Sequence, residues 1–170
     1  SDVFYPYLAG GGETRYYHLA KHFVSSGDDV VVVTSRLSGC ASQESLFNGK
    51  LHIHRVGFPS HPTTKRSILP VPGYFLSSIL HARLVDQCDI LDLNTYASAL
   101  AGKLASFLKK RPSVITVHDL FAGQWSTEHN VATSMLGAMS EKLIGLINSD
   151  GFFITVSEST KRKMIRHLNL

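Results

Sequence analysis

The stretch FYPYLAGGGETRYYHLAKHF, Phe4 to Phe23, decides how this chain folds. Gly10, Gly11 and Gly12 run straight into a segment whose apolar residues Tyr16, Leu19, Ala20, Phe23 and Val24 recur at three- and four-residue steps. That spacing is one stripe of an amphipathic helix. Glycine accepts positive φ and has no Cβ, so a ligand can come close to the backbone. The first N–H groups of the helix behind it lack intrahelical partners and lie at the positive end of its dipole. Loop and helix start together offer a site for phosphate, carboxylate or a sugar hydroxyl. The triplet equally suits a plain turn from strand into helix, and both readings stay open. Two nucleotide fingerprints fail: G-x-G-x-x-G counted from Gly10 meets Arg15 where glycine is needed, and G-K-[ST] is absent.

With 170 residues, 44% of them hydrophobic, the chain is predicted to be globular, one domain with a sizeable core. No apolar run approaches the roughly 20 residues of a membrane span, and no signal-peptide pattern opens the sequence. Cys40 and Cys88 have no metal-ligand spacing and fit a reducing cytoplasm. A net charge of +4 permits an anionic partner without indicating nucleic acid. Glycine loops of this kind follow a buried strand, so the first strand is expected to be missing or truncated ahead of Ser1. The basic pattern reaching Leu170 stops without a terminating signal.

Outward from the glycine stretch, Gly27 is a helix stop, and Asp29 to Thr34 is a β-branched run of the kind that parallel sheets bury on both faces. Arg36 to Ser45 reads as loop. Asn48-Gly49 between alternating apolar runs is a hairpin signal. Four prolines between Gly57 and Gly73 mark a long irregular connection holding Lys65 and Arg66. A helix follows with Phe75, Leu76, Ile79, Leu80 and Leu84 inward. Cys88 to Asn94 is a strand; the next helix turns Ala97, Leu100, Ala101, Leu104, Ala105 and Leu108 inward and stops at Pro112. Ser113 to Val117 is a strand ending in His118-Asp119. A long helix with Met135, Leu136, Met139, Leu143, Leu146 and Ile147 inward leads to the strand Gly151 to Val156 and a basic last helix from Glu158. Strands alternating with helices predict an α/β fold, Rossmann-like, with a mainly parallel sheet flanked by helices on both faces.

In such sheets ligands bind beyond the carboxyl ends of the strands. The Gly10–Gly12 loop, Asn94 with Thr95, and His118 with Asp119 are expected to gather there, and that coincidence favours a binding role for His118 over a structural one. His18 and His22 are four apart without the glutamate of H-E-x-x-H, and His52 and His54 have no further ligand nearby, so no metal is expected. Lys161, Arg162, Lys163 and Arg166 suit phosphate or anionic lipid, but a solvated helix end complementing its dipole explains them better.

These residues resemble the opening of retaining glycosyltransferases of family 4, built on the GT-B fold. The match runs through FYPYLAGGGETRYYHLAKHF, VVVVTSR, FNGKLHIHRV, SVITVHD and ITVSESTKRKMI, in order and over nearly the whole chain. The resemblance implies that residues 1–170 are a single N-terminal, acceptor-side domain, and that the C-terminal donor-binding domain with its paired glutamates is absent. It implies a nucleotide-sugar donor as substrate, no further cofactor, and a sugar or lipid-linked acceptor. By the same resemblance, His118 hydrogen-bonds the transferred sugar or positions the acceptor hydroxyl. Gly11 and Gly12 offer amides to the donor, and Glu13 and Arg15 shape the loop. Asn94, Asp119, Ser157 and Glu158 complete the expected donor and acceptor contacts. In retaining enzymes of this kind the acceptor attacks on the face the nucleotide leaves, and a departing phosphate oxygen takes the proton.

A transferase (hexosyltransferase type), inactive as this fragment, is therefore expected in the cytoplasm. The basic surface and Tyr74-Phe75-Leu76 also suit peripheral contact at the inner face of a membrane. The alternative from another class is a non-catalytic α/β module binding phosphate or sugar with the same edge. An NAD-dependent oxidoreductase is disfavoured by the failed fingerprint and by Thr34-Ser35-Arg36 where an acidic residue is required.

Overall fold

The computed structural model describes residues 1–8, 10–60, 70–121, 125, 131–149 and 151–168. They form two compact units, Ser1–Leu84 and Val85–Leu170.

The first unit holds α1 (Gly11–Ser25), β1 (Val30–Leu37), β2 (Gln43–Leu46), β3 (Leu51–Ser60) and α2 (Pro70–Leu80). Its sheet has the order β1-β3-β2, with β1 parallel and β2 antiparallel to β3. Gly27 ends α1 in a Schellman turn: its φ is +106°, its N–H reaches Val24 O at 3.1 Å, and Asp28 N reaches Phe23 O at 3.1 Å. The Asn48-Gly49 hairpin joins β2 to β3, with Phe47, Asn48 and Gly49 all at positive φ. The core is Phe4, Tyr16, Ala20, Leu51 and Ile53 with Val24 packed against it, so α1 covers the sheet with part of the stripe its spacing predicts, whereas Phe23, expected on that stripe, is exposed. Ser1 and Asp2 lie against β1, where Ser1 N donates to Val33 O and Ser35 N to Asp2 O, each at 3.1 Å, without forming a strand.

Two boundaries differ from expectation. β1 runs on to Leu37, because past an irregularity at Ser35 Leu37 still pairs with Ser60, and Gln43 to Ser45 is strand rather than loop. The connection expected over 57–73 is shorter, since β3 reaches Ser60 and α2 begins at Pro70; Lys65 and Arg66 lie outside the described residues. Tyr74 anchors α2 at 5% exposure, while Leu76 and Leu80 face solvent.

His54 on β3 has its pKa lowered, first by burial and then by the positive charges of His52 beside it and His81 at the end of α2. The folded state thus prefers neutral His54, whereas the unfolded chain takes up the proton below its ordinary 6.5. This contribution to stability is complete above pH 6.5 and declines as pH falls below it. His54→Gln is expected to flatten the fall of the urea midpoint between neutral and mildly acidic pH. An unchanged pH slope in that variant would remove His54 as its source.

The second unit contains β4 (Leu91–Asn94), α3 (Ala97–Lys109), β5 (Ser113–Val117), α4 (Val131–Ile147), β6 (Phe152–Thr155) and α5 (Glu158–Leu168); a short 3-10 helix, Ala82–Gln87, spans the join. Its sheet, β4-β5-β6, is wholly parallel. Leu93, Ala99, Ile115, Val117, Leu120, Ile144 and Met164 form the core, one contribution from each of α3, α4 and α5 included. The first strand expected to be missing or truncated contributes no ladder among the described residues, and the strands divide between two three-stranded sheets.

The helix faces of this unit are where the large-residues-inward expectation fails. α3 buries Ala97, Ser98, Ala99, Ala101, Ala105 and Ser106 and leaves Leu104 and Leu108 exposed. It lies so close to the sheet that a Cβ on Gly102 would overlap the Leu93 side chain, and only small residues fit. α4 is inverted: Gly137, Glu141, Ile144 and Gly145 are buried, while Met135, Leu136, Met139, Leu143, Leu146 and Ile147 face solvent.

Candidate functional site

In the first unit the glycine loop closes onto α1. Gly10 is the N-cap residue and supplies no side-chain oxygen to the helix start. Its carbonyl accepts from Thr14 N at 3.2 Å and Thr14 Oγ1 at 2.9 Å. Glu13, at 5% exposure, folds its carboxylate back beneath the loop, so that a Cβ on Gly10 would overlap Glu13 Oε2. A side chain at Gly10 would have to displace that carboxylate. Gly11, the first residue of α1, is open: a Cβ there would meet nothing within 4 Å. Gly12 is half-buried on the same turn. Arg15 lays its guanidinium 5.2 Å from the centre of the Tyr16 ring. Its Nη1 is shielded from solvent without a hydrogen-bond partner among the described residues.

Sequence reasoning missed a buried arginine that fixes the segment leading toward this loop. Arg55, at 3% exposure, donates from Nη2 to Tyr5 O at 2.8 Å and to Glu44 Oε2 at 2.7 Å, and from Nη1 to Ala41 O at 3.1 Å. Tyr5 stacks on Tyr17 of α1 with ring centres 5.3 Å apart. The signal was an arginine on the strand face that Leu51 and Ile53 give to the core.

In the second unit the parallel strands point their carboxyl ends to one edge and bring five expected residues there. Asn94 closes β4, its Oδ1 accepting from Thr95 N at 2.9 Å. His118 follows β5 directly and is half-buried; its carbonyl accepts from Thr160 Oγ1 at 3.4 Å. Asp119 Oδ1 accepts from Leu120 N at 2.8 Å and pairs with Lys163 Nζ at 3.0 Å, tying the β5 turn to α5. Ser157 caps α5, its Oγ accepting from Thr160 N at 3.1 Å, and Glu158 is exposed in the first turn. Lys161, Arg162 and Arg166 are exposed on α5, the solvated face expected of them.

Two residues at this edge were not foreseen. Tyr96 adopts φ +67° and ψ −125°, unusual for a residue with a Cβ, and its hydroxyl lies 3.2 Å from Glu141 Oε1 and 3.3 Å from Asp119 O. Glu141, 4% exposed, accepts from Phe121 N at 2.8 Å. Glu141 is the sole acidic residue of a long apolar helix, and that was the available signal. Among the described residues no three His, Cys, Asp or Glu are grouped to hold a metal ion, and no helix is long and apolar enough to cross a membrane.

A glycine loop opening a helix and polar residues beyond the carboxyl ends of parallel strands define a Rossmann-like domain of the GT-B kind. The family profile described as Glycosyltransferase Family 4 matches residues 9–170. The chain belongs to that family. Sucrose-phosphate synthase from Thermosynechococcus elongatus superposes with a TM-score of 0.70 at 14% identity, over 93% of this chain and 39% of that one. A second structure of that synthase, from a twinned crystal, gives a TM-score of 0.64 at 11% identity, over 90% of this chain and 76% of that one. At these identities the likeness is one of fold, and the chain spans well under half the length of the first of them. No curated protein sequence matches.

Proposed function

We propose that this chain is the N-terminal, acceptor-side domain of a two-domain glycosyltransferase (hexosyltransferase type) that takes sugar from a nucleotide-sugar donor with retention of configuration. The observation that carries the reading is His118, set immediately beyond β5 at the carboxyl edge of a wholly parallel sheet in a family 4 chain. His118 hydrogen-bonds the transferred sugar or positions the acceptor hydroxyl. The amides of Gly11 and Gly12 and the guanidinium of Arg15 meet the donor's phosphate oxygens. Glu13 shapes the loop from below, and Asn94, Asp119, Ser157 and Glu158 frame the substrates around His118. A leaving phosphate oxygen takes the acceptor's proton, so His118 acts by position rather than as an obligatory base. The acceptor is a sugar or lipid-linked sugar, with the enzyme cytoplasmic and peripheral to the inner face of a membrane when the acceptor is lipid-linked.

The test is sugar transfer and donor hydrolysis measured with a panel of nucleotide sugars, on the full-length enzyme and on the 170-residue chain. Turnover with one donor by the former, with the anomeric configuration kept, and none by the latter is the expected result. Robust turnover by the short chain alone would sink the half-enzyme reading. Donor or sugar binding without turnover in the full-length protein would favour the non-catalytic module.

A further inference from the structure

We propose that Tyr96 and Glu141 are a positioning pair for the reacting edge: together they set the backbone that carries His118 and Asp119. The inference deepens the proposed function and rests on His118 meeting substrate there. The turn after β5 is held residue by residue. Val156 N donates to Val117 O at 3.4 Å, and Thr160 Oγ1 to His118 O at 3.4 Å. Leu120 N donates to Asp119 Oδ1 at 2.8 Å, which Lys163 Nζ also reaches at 3.0 Å. The remaining bonds come from the start of α3 and from α4. The Tyr96 hydroxyl lies 3.3 Å from Asp119 O and 3.2 Å from Glu141 Oε1, and Phe121 N donates to that same Oε1 at 2.8 Å. The pair therefore grips the turn on both sides of Leu120, immediately after His118.

Packing alone does not call for either residue. Tyr96, at φ +67° and ψ −125°, has the angles of the first central residue of a type II′ turn, where glycine is the usual occupant and a Cβ is strained. Glu141 puts a carboxylate at 4% exposure on the face of α4 that Ile144, at 1%, gives to the core. An apolar residue there, with an apolar partner opposite, packs a helix on a sheet about as well. What the pair adds is direction, a hydroxyl for Asp119 O and an acceptor for Phe121 N. Trp125 packs edge-on against the Tyr96 ring with centres 5.6 Å apart and lies 5.0 Å from the Phe121 ring, so the tyrosine ring is held as well as its hydroxyl. Groups fixed before substrate arrives need no ordering at the moment of reaction.

The test reads the turn and the chemistry separately in the full-length enzyme. Tyr96→Phe keeps the ring and loses only the hydroxyl. It should speed amide hydrogen exchange at Leu120 and Phe121 about tenfold, the loss of one hydrogen bond, while exchange in β4 and β5 stays as in wild type. It should also lower kcat about tenfold and leave KM for the nucleotide sugar within about twofold, because a displaced group at the reacting centre costs rate rather than binding. Glu141→Leu, which removes the acceptor shared by Phe121 N and Tyr96, should loosen the same amides further. Glu141→Gln keeps an oxygen at the same reach and should hold kcat within about threefold of wild type. Unchanged exchange at Leu120 and Phe121 in Tyr96→Phe and Glu141→Leu overturns the proposal. So does a loosened turn with normal kcat, or a kcat that falls only in step with the folded fraction. Wild-type enzyme that transfers no sugar would sink the proposed function instead, and exchange at Leu120 and Phe121 would still accept or reject the pair as the holder of the turn.

Discussion

His118→Ala in the full-length enzyme is expected to lower kcat/KM about 100-fold or more, since small misplacement at a reacting centre costs that much. The same change should lower stability by less than about 1 kcal/mol. His118 stands directly beyond its strand and is half-buried, and Thr160 Oγ1 donates to its backbone carbonyl, which alanine keeps. A residue whose main task was to hold the β5 turn would give the opposite pair of results, a clear fall in melting temperature with nearly normal turnover. Both quantities measured on one variant separate the cases. A destabilised but fully active enzyme would show that His118 serves structure rather than substrate.

Arg55→Met is expected to have the largest effect on stability, about 3 kcal/mol. The guanidinium is buried and satisfies Tyr5 O, Ala41 O and Glu44 Oε2 together. Methionine replaces its length but leaves those acceptors without their donor. The Glu44 side chain keeps 34% exposure and can rehydrate, which puts the expected loss at the lower end of the range for a broken buried pair. Because Tyr5 leads into the glycine loop, the loop should loosen with it. Urea unfolding of wild type and variant measures the loss, and hydrogen exchange at Gly11 and Gly12 reports the loop. A midpoint shift worth under about 1 kcal/mol would show that the network is solvated in practice.

Local chemistry was legible in the linear chain. The Schellman stop at Gly27, the Asn48-Gly49 hairpin, the capping of α5 by Ser157 and the Tyr16 and Ala20 part of the α1 stripe depend on residues within a few positions of one another. So did the placing of Asn94 at the end of its strand and of His118 and Asp119 just beyond theirs, because a strand's direction fixes where its last residue stands.

Which side of a helix faces the sheet was not legible, because it depends on how closely the two approach. Small residues of α3 face inward where Gly102 meets Leu93, and α4 turns Glu141 inward because Phe121 N and Tyr96 hydroxyl wait there. The apolar residues of both helices are left outside as a consequence, although their spacing alone reads as a core stripe. Arg55 repeats the lesson in the first unit: periodicity assigns its position to the core, and only Tyr5, Ala41 and Glu44, brought from 50, 14 and 11 residues away, make a buried guanidinium stable there.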